Sequence, residues 1–167
     1  MLGLLQDAGN ATTWVHYLEV LGESKLLIGL PKYVIDASRK YRTIPKLQVF
    51  NNGLLTALTD SISFEKVSTN PKQWGRRVES TVGCSLLDKM DELEGELYYW
   101  RENDEEVDFV VRRWDKLLAI EVKSGRRQNN IGLGTFMQYY HPQHSLVVGG
   151  NAMPLEDFFN GDIESLL

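Results

Sequence analysis

Three strand-like segments follow one another with almost no chain between them: ELYYWRE, EEVDFVVRR and KLLAIEVKS. Asn103-Asp104 reads as a tight turn between the first two, and Trp114-Asp115-Lys116 joins the second and third at hairpin length. Connections this short permit only antiparallel neighbours, so the chain is expected to build a three-stranded meander. Before the meander, Val78, Val82, Leu86, Met90 and Leu93 recur at spacings of three and four, which predicts a helix over 73–93 that Gly95 can end. After it, GLGTFMQYY reads as a short helix and HSLVVGG as an apolar, β-branched strand. The order helix, three strands, helix, strand implies an α/β domain around a mixed sheet.

The first part of the chain reads differently. Asn10, Thr12 and Thr13 can cap a helix continuing as WVHYLEVLGE, with Trp14, Tyr17, Leu18 and Leu21 on one face and Gly22 at its end. KLLIGLPKY and KLQVFNN then read as two strands. A helix followed by a two-stranded ribbon matches the end of a winged-helix unit whose earlier helices would lie upstream of Met1. On that reading the chain is the C-terminal piece of a longer protein. A helix-hairpin cap packed on the main domain fits the pattern equally well. The expected division is a partial winged-helix-like segment over 1–64 and the α/β domain over 65–167, and 167 residues suffice for one cored domain with such an appendage.

A formal net charge of −5 counts against a surface coated in basic residues for nucleic acid. A nucleic-acid enzyme needs only a local cationic groove, and basic groups cluster at Arg39, Lys40 and Arg42, at Arg76-Arg77, at Arg112-Arg113 and at Arg126-Arg127. Each cluster by itself reads as solvated surface. No apolar run approaches the ~18 residues of a membrane span, and MLGLLQDAGNATT lacks the pattern of a secretory signal. Cys84 is the single cysteine, so no internal disulfide forms, and a reducing, cytoplasmic setting without membrane association is expected.

Side-chain alternation along KLLAIEVKS puts Leu118, Ile120 and Val122 on one face and Ala119, Glu121 and Lys123 on the other. The first face is apolar and should enter the core. The second ends in a carboxylate and an ammonium that point the same way. In the preceding strand Asp108 stands between Val107 and Phe109, so its charge is either exposed or buried with a partner. A hairpin through 114–116 pairs residues whose numbers sum to about 230, which brings Asp108 across from the Glu121–Lys123 region. Two converging carboxylates repel unless a cation neutralises them. Mg²⁺ or Mn²⁺ suits such a pair, because these ions take oxygen ligands and typically use one or two protein carboxylates plus water and phosphate. Lys123 is then placed to stabilise an attacking hydroxide or a phosphoryl transition state. Glu79 borders the apolar stripe of the helix, is turned toward the sheet, and can add a ligand or hold a water, with Gly83 one turn on leaving room.

The order Glu79 on a helix, Asp108 on a strand and Glu121-Val122-Lys123 on the next resembles the PD-(D/E)XK nuclease-like superfamily, in which an acid precedes an acid-x-Lys element. Val107 stands where the eponymous proline would be. Gln138 and Tyr140 resemble the Gln-x-x-x-Tyr element of RecB-like members only loosely, since the spacing differs. Over nearly the whole chain, QDAGNATTWVHYLEVLGESKLLIGLPKY, PKLQVFNNGLLTAL, LYYWRENDEEVDFVV and LLAIEVKSG resemble the C-terminal region of prokaryotic ATP-binding proteins. Those proteins carry an AAA-type ATPase domain, a winged-helix-like linker and a domain of unknown function. The resemblance implies a restriction-endonuclease-like core, metal-dependent hydrolysis of DNA phosphodiesters by Asp108, Glu121, Lys123 and Glu79, and an AAA-type ATPase domain as partner. The chain has no G-x-x-x-x-G-K-[ST] loop, so it is not expected to hydrolyse ATP.

Cys84 reads as a small buried thiol. The spacing of His141 and His144 does not suit zinc, and His16 reads as a helix-face residue. Trp14, Trp74, Trp100 and Trp114 read as packing residues, and Asp88, Asp91, Glu92 and Glu94 as a solvated acidic face. Two functions stand against each other: a Mg²⁺- or Mn²⁺-dependent nuclease, and a non-catalytic module of an AAA-type ATPase that binds nucleic acid or a protein partner.

Overall fold

A computed structural model describes residues 11–35, 43–58, 63–125 and 130–167. Asn10 and the cationic groups at Arg39, Lys40, Arg42, Arg126 and Arg127 lie outside the described residues. In chain order the elements are α1 (Ala11–Glu23), β1 (Leu27–Leu30), β2 (Lys46–Val49), α2 (Asn52–Leu58), α3 (Phe64–Thr69), α4 (Pro71–Leu93), β3 (Glu96–Glu102), β4 (Glu105–Arg113), β5 (Lys116–Lys123), α5 (Ile131–Tyr140), β6 (His144–Gly149) and α6 (Leu155–Asn160). A 3₁₀ turn, Glu164–Leu166, follows.

The meander forms as expected and becomes a four-stranded mixed sheet in the order β3-β4-β5-β6. The first three strands are antiparallel, while β6 pairs parallel to β5, with Leu118 beside His144 and Glu121 beside Val147. The parallel pairing follows from the crossover through α5, which returns the chain to the end where β5 began. β1 and β2 make a separate antiparallel pair, Leu27 opposite Val49 and Leu30 opposite Lys46. The chain just after β1 also runs along the free edge of β3: Tyr33 N–H donates to the Tyr99 carbonyl at 2.7 Å, and Tyr99 N–H donates to the Pro31 carbonyl at 3.2 Å.

α4 starts where Asn70 accepts from the N–H groups of Lys72 and Gln73, both at 3.2 Å, with Pro71 at the first helical position. Its end differs from expectation. Glu94, not Gly95, takes the left-handed conformation, at φ 49°. Gly95 instead donates its N–H to the Met90 carbonyl at 3.0 Å. The stripe Val82, Leu86, Met90 and Leu93 packs on one face of the sheet, against Tyr99, Phe109, Val111, Leu118 and Ile120.

The opposite face is covered too. Leu133 and Phe136 of α5 pack on Tyr98, Trp100, Val107, Val110, Leu117 and Ala119. Phe136 stacks on Tyr140 at 4.6 Å, and Trp100 meets Phe136 edge-on at 5.5 Å. Burying a side chain of this size contributes about 1.5–3 kcal/mol, so the sheet is held from both sides up to the rung at Ala119. α5 can sit so close only because residue 132 is glycine: an added Cβ would stand 2.3 Å from the Glu106 carbonyl oxygen. Gly132→Ala is therefore expected to destabilise the fold by about 1–3 kcal/mol in urea unfolding. Gly134→Ala, on the same helix with open space at its Cβ, is expected to be neutral or stabilising. Equal midpoints for the two variants would contradict this packing.

Candidate functional site

The site begins with a β-bulge. Tyr98 faces Val110, yet Trp100 faces Val107, so β4 carries one extra residue over that interval. Asp108 and Phe109 together oppose Tyr99. Val107 and Val110, three apart, both reach the α5 core, whereas Phe109 reaches the α4 core. The bulge thus turns Asp108 to the α4 side with Phe109, where strict alternation would have set the two on opposite faces.

The β4–β5 ladder has its last rung at Phe109 and Ile120. Continued by one residue, the same register sets Asp108 opposite Glu121, within the region expected from the hairpin. Past the last rung, the Val122 N–H donates to Asp108 Oδ2 at 2.8 Å. The carboxylate therefore replaces a ladder partner and is fixed against β5.

Its other oxygen meets Lys46, the first residue of β2. Lys46 Nζ lies 3.4 Å from Asp108 Oδ1 and 2.6 Å from Glu79 Oε1. It also lies 3.6 Å from Glu106 Oε1 and 3.3 Å from the Asp108 carbonyl oxygen. The ammonium rests 5.0 Å above the Phe109 ring. Glu79, expected to turn toward the sheet, does so and meets this cation. Glu121 and Lys123, alternating with Ile120 and Val122, form a second pair on β5, where Lys123 Nζ donates to Glu121 Oε1. Glu121 is 9% exposed, and its Oε2 is buried with no hydrogen-bond partner among the described residues. The four expected residues thus fall into two groups: Asp108 and Glu79 around Lys46, and Glu121 with Lys123, joined through the Asp108–Val122 bond.

A cleft of about 680 Å³ opens over the first group. Ile44, Pro45 and Tyr99 line it together with Lys32, Arg76 and Arg101. Lys32 pairs with Glu102 at 2.6 Å, and Arg101 pairs with Glu106. Lys46 and Glu106 were missed from the sequence. Glu106 lies two residues before Asp108 in EEVDF, but Lys46 sits in a segment assigned to a different unit, with no local signal beyond opening a strand after Pro45.

The room expected beside Gly83 is occupied. The Gln48 amide fills it, approaching to 2.3 Å of where a Cβ would be, and donates to the Val49 and Ser80 carbonyls at 2.8 and 3.0 Å. Cys84 is half-buried, its Sγ 3.2 Å from the Val49 carbonyl, and burial raises its thiol pKa. Trp100 is core, while Trp114 is exposed at the β4–β5 turn with the Arg113 guanidinium 4.6 Å above it.

Burial shifts the acids. It raises the Asp108 carboxyl from 3.8 to about 7, against the opposing pull of Lys46 and with added repulsion from Glu79 and Glu121. Burial likewise raises Glu121, opposed by its hydrogen bond and charge contact with Lys123. Lys46 is itself raised: burial disfavours its charge, but Asp108, Glu79 and Glu106 outweigh that cost.

Among the described residues, no three His, Cys, Asp or Glu side chains are grouped to hold a metal by themselves. Asp108 and Glu121 still fit the sparse donor set of Mg²⁺ or Mn²⁺, which takes one or two carboxylates and keeps several waters. The unpartnered Glu121 Oε2 is a donor of the right kind.

The mixed α/β fold has a family context. Residues 74–160, just over half the chain, match the family described as Domain of unknown function (DUF4143), and the chain belongs to that family. No curated protein matches it. The crystal structure of protein VC1899 from Vibrio cholerae is similar at a TM-score of 0.35 and 16% identity, covering 92% of this chain and 37% of that one. The chain thus spans little more than a third of that protein's length. No helix among the described residues is long and apolar enough to cross a membrane.

The Asp108 shift carries a sign. Between pH 4 and 7 the folded protein holds the Asp108 proton that the unfolded chain has already lost, so stability contributed by this group falls as pH rises through that window and levels off above about 7. Asp108→Asn is expected to remove that fall, gaining on the wild type by on the order of 2–4 kcal/mol from pH 4 to 8 in chelator-containing buffer. Parallel pH–stability curves for the two proteins would show that the carboxyl is not raised.

Proposed function

We propose that the chain is a divalent-metal-dependent phosphodiesterase domain acting on DNA, with a restriction-endonuclease-like core formed by α4, β3, β4, β5, α5 and β6. The observation that carries this reading is the join of two acids across β4 and β5: Asp108 is locked to the Val122 N–H, and beside Val122 stands Glu121 with a buried oxygen that has no partner among the described residues. The element order and the acid, acid-x-Lys spacing support the same reading. α1 with the β1–β2 pair supports a partial winged-helix-like segment over 1–64.

Asp108 and Glu121 would hold Mg²⁺ or Mn²⁺, with Glu79 on the cleft side able to orient a water. The ion, when bound, supplies Lewis acidity for water and charge neutralisation at a phosphate. The chain's own residues do the remainder. Lys123 releases Glu121 Oε1 and donates to the attacking oxygen or to a non-bridging phosphoryl oxygen, where negative charge grows in the transition state. Arg76, Arg101 and Lys32 line the approach and suit the phosphates on either side of the scissile bond.

One observation favours a second reading. Lys46 already pairs with the acids of the cleft, which is what a non-catalytic nucleic-acid- or protein-binding module of an AAA-type ATPase would show. Incubation with Mn²⁺ and plasmid or single-stranded DNA separates the two. Cleavage is expected in the wild type, with a loss of at least about a hundredfold in Asp108→Ala and in Lys123→Ala. No cleavage by the wild type, or equal cleavage by these variants, would leave the second reading standing.

A further inference from the structure

α5 is a surface helix without a charge. Its ten residues, IGLGTFMQYY, include no Asp, Glu, Lys or Arg. Leu133 and Phe136 are buried against the sheet, while Ile131, Gly134 and Gln138, at helical spacing, are exposed. A helix covering a sheet ordinarily turns charged groups to water on that side. Here Ile131 is 61% exposed and Tyr139 is 71% exposed. At Gly134 an added Cβ would meet nothing within 4 Å, so the outer side is open to a neighbour. Tyrosine is among the side chains enriched where proteins meet.

A groove of about 700 Å³ lies beside this helix. The end of α5 lines it through Gln138, Tyr139 and Tyr140, and the β3–β4 turn lines it through Glu102, Asp104 and Glu105. These two parts are fixed to each other. Gly132 lets α5 approach the Glu106 backbone, Phe136 stacks on Tyr140 at 4.6 Å, and Tyr140 meets the Trp100 ring of β3 at 6.2 Å. The groove is therefore preformed, and filling it costs little ordering of the protein.

Its charge is of one sign. Glu102 and Glu105 stand opposite each other in the β3–β4 ladder, with Asp104 in the turn between them. Like charges placed so repel. Lys32 pairs with Glu102 at 2.6 Å, but no ion pair joins Asp104 or Glu105 to a cation among the described residues. Three carboxylates against one ammonium leave an excess of negative charge beside aromatic surface. That excess repels a phosphate backbone. It suits an arginine, whose planar guanidinium can lie on a tyrosine ring while pairing with a carboxylate, and whose stem covers apolar surface.

We propose that the outer face of α5 and the β3–β4 turn form a docking groove for an arginine-bearing segment of a partner protein. The guanidinium pairs with Asp104 and Glu105 against Tyr139, and apolar residues beside it rest along Ile131 and the open surface at Gly134. Trp100 places the groove on the α5 side of the sheet, whereas Tyr99 of the Lys46 cleft packs on the α4 side. Docking is thus independent of the chemistry proposed for that cleft.

Fluorescence anisotropy with three labelled peptides tests this: one of alternating arginine and leucine, one with lysine in place of arginine, and one with glutamate. The arginine peptide is expected to bind, the lysine peptide more weakly, and the glutamate peptide not at all. Asp104→Asn combined with Glu105→Gln is expected to weaken binding of the arginine peptide on the order of tenfold. Tyr139→Ala is expected to weaken it several-fold, and Tyr139→Phe, which keeps the ring, to restore it. Asp88→Asn combined with Glu92→Gln removes the same charge from α4 and is expected to leave binding unchanged. Thermal unfolding of each variant checks that the fold is kept.

Failure of the arginine peptide to bind at millimolar concentration overturns the proposal, as does binding of the glutamate peptide. Equal binding by the Asp104/Glu105 variant or by Tyr139→Ala also overturns it. An equal loss in the Asp88/Glu92 variant reduces the effect to bulk charge and overturns it too. Self-association that Tyr139→Ala abolishes, without peptide binding, overturns the choice of partner and assigns the face to a second copy of the chain.

Discussion

Four carboxylates can be gathered at one end of a sheet only if cations come with them. In a partly desolvated setting the mutual repulsion of such groups and the loss of their hydration would otherwise open the structure or protonate them. Here the compensation comes from two lysines, Lys46 and Lys123, and from Arg101 on Glu106. Lys123 lies two residues from the acid it serves. Lys46 lies 62 residues before Asp108 and crosses from the β1–β2 pair to reach it. This contact ties the first part of the chain to the sheet electrostatically, next to the apolar packing of Leu30 and Ile28 on the α4 core. The balance is incomplete, because burial still raises Asp108 and Glu121. Acids whose pKa is raised in this way take up protons more readily than exposed carboxylates do.

The bulge in β4 makes that arrangement compatible with a packed sheet. Without an extra residue, Asp108 and Phe109 would take opposite faces, and either the acid or the ring would be turned toward α5. With it, Phe109 enters the α4 core while Asp108 reaches both Lys46 and the Val122 N–H. The aromatic group on the other face, Trp100, Phe136 and Tyr140, holds β3 and β4 in place from behind. Rigid strands on both sides of the bulge set the position of the acid more narrowly than a loop would.

Much of this was legible in the residues. The meander, the α4 stripe, the faces of β5 and the turn at Asn103-Asp104 all follow from period and turn chemistry, which act over a few residues. Asp108, Glu121, Lys123 and Glu79 could be named for the same reason. What could not be read are contacts between distant segments. The Gln48 amide beside Gly83 is one, since a glycine shows where something approaches and not what approaches. Lys46 is another. Neither lysine nor glutamine at that point of KLQVFNN breaks the pattern of a plain exposed strand.

The sequence by itself determined the order and type of the elements around the sheet, which side chains of β5 enter the core, and which acids stand near its end, because alternation and helical phase are properties of the local chain. Only the tertiary structure decided that Asp108 and Phe109 share one face of β4, that the Asp108 carboxylate takes the place of a ladder partner at Val122, and that an ammonium from β2 stands among Glu79, Glu106 and Asp108. Those outcomes depend on how repulsion and desolvation are balanced across segments tens of residues apart, and no local pattern carries that balance.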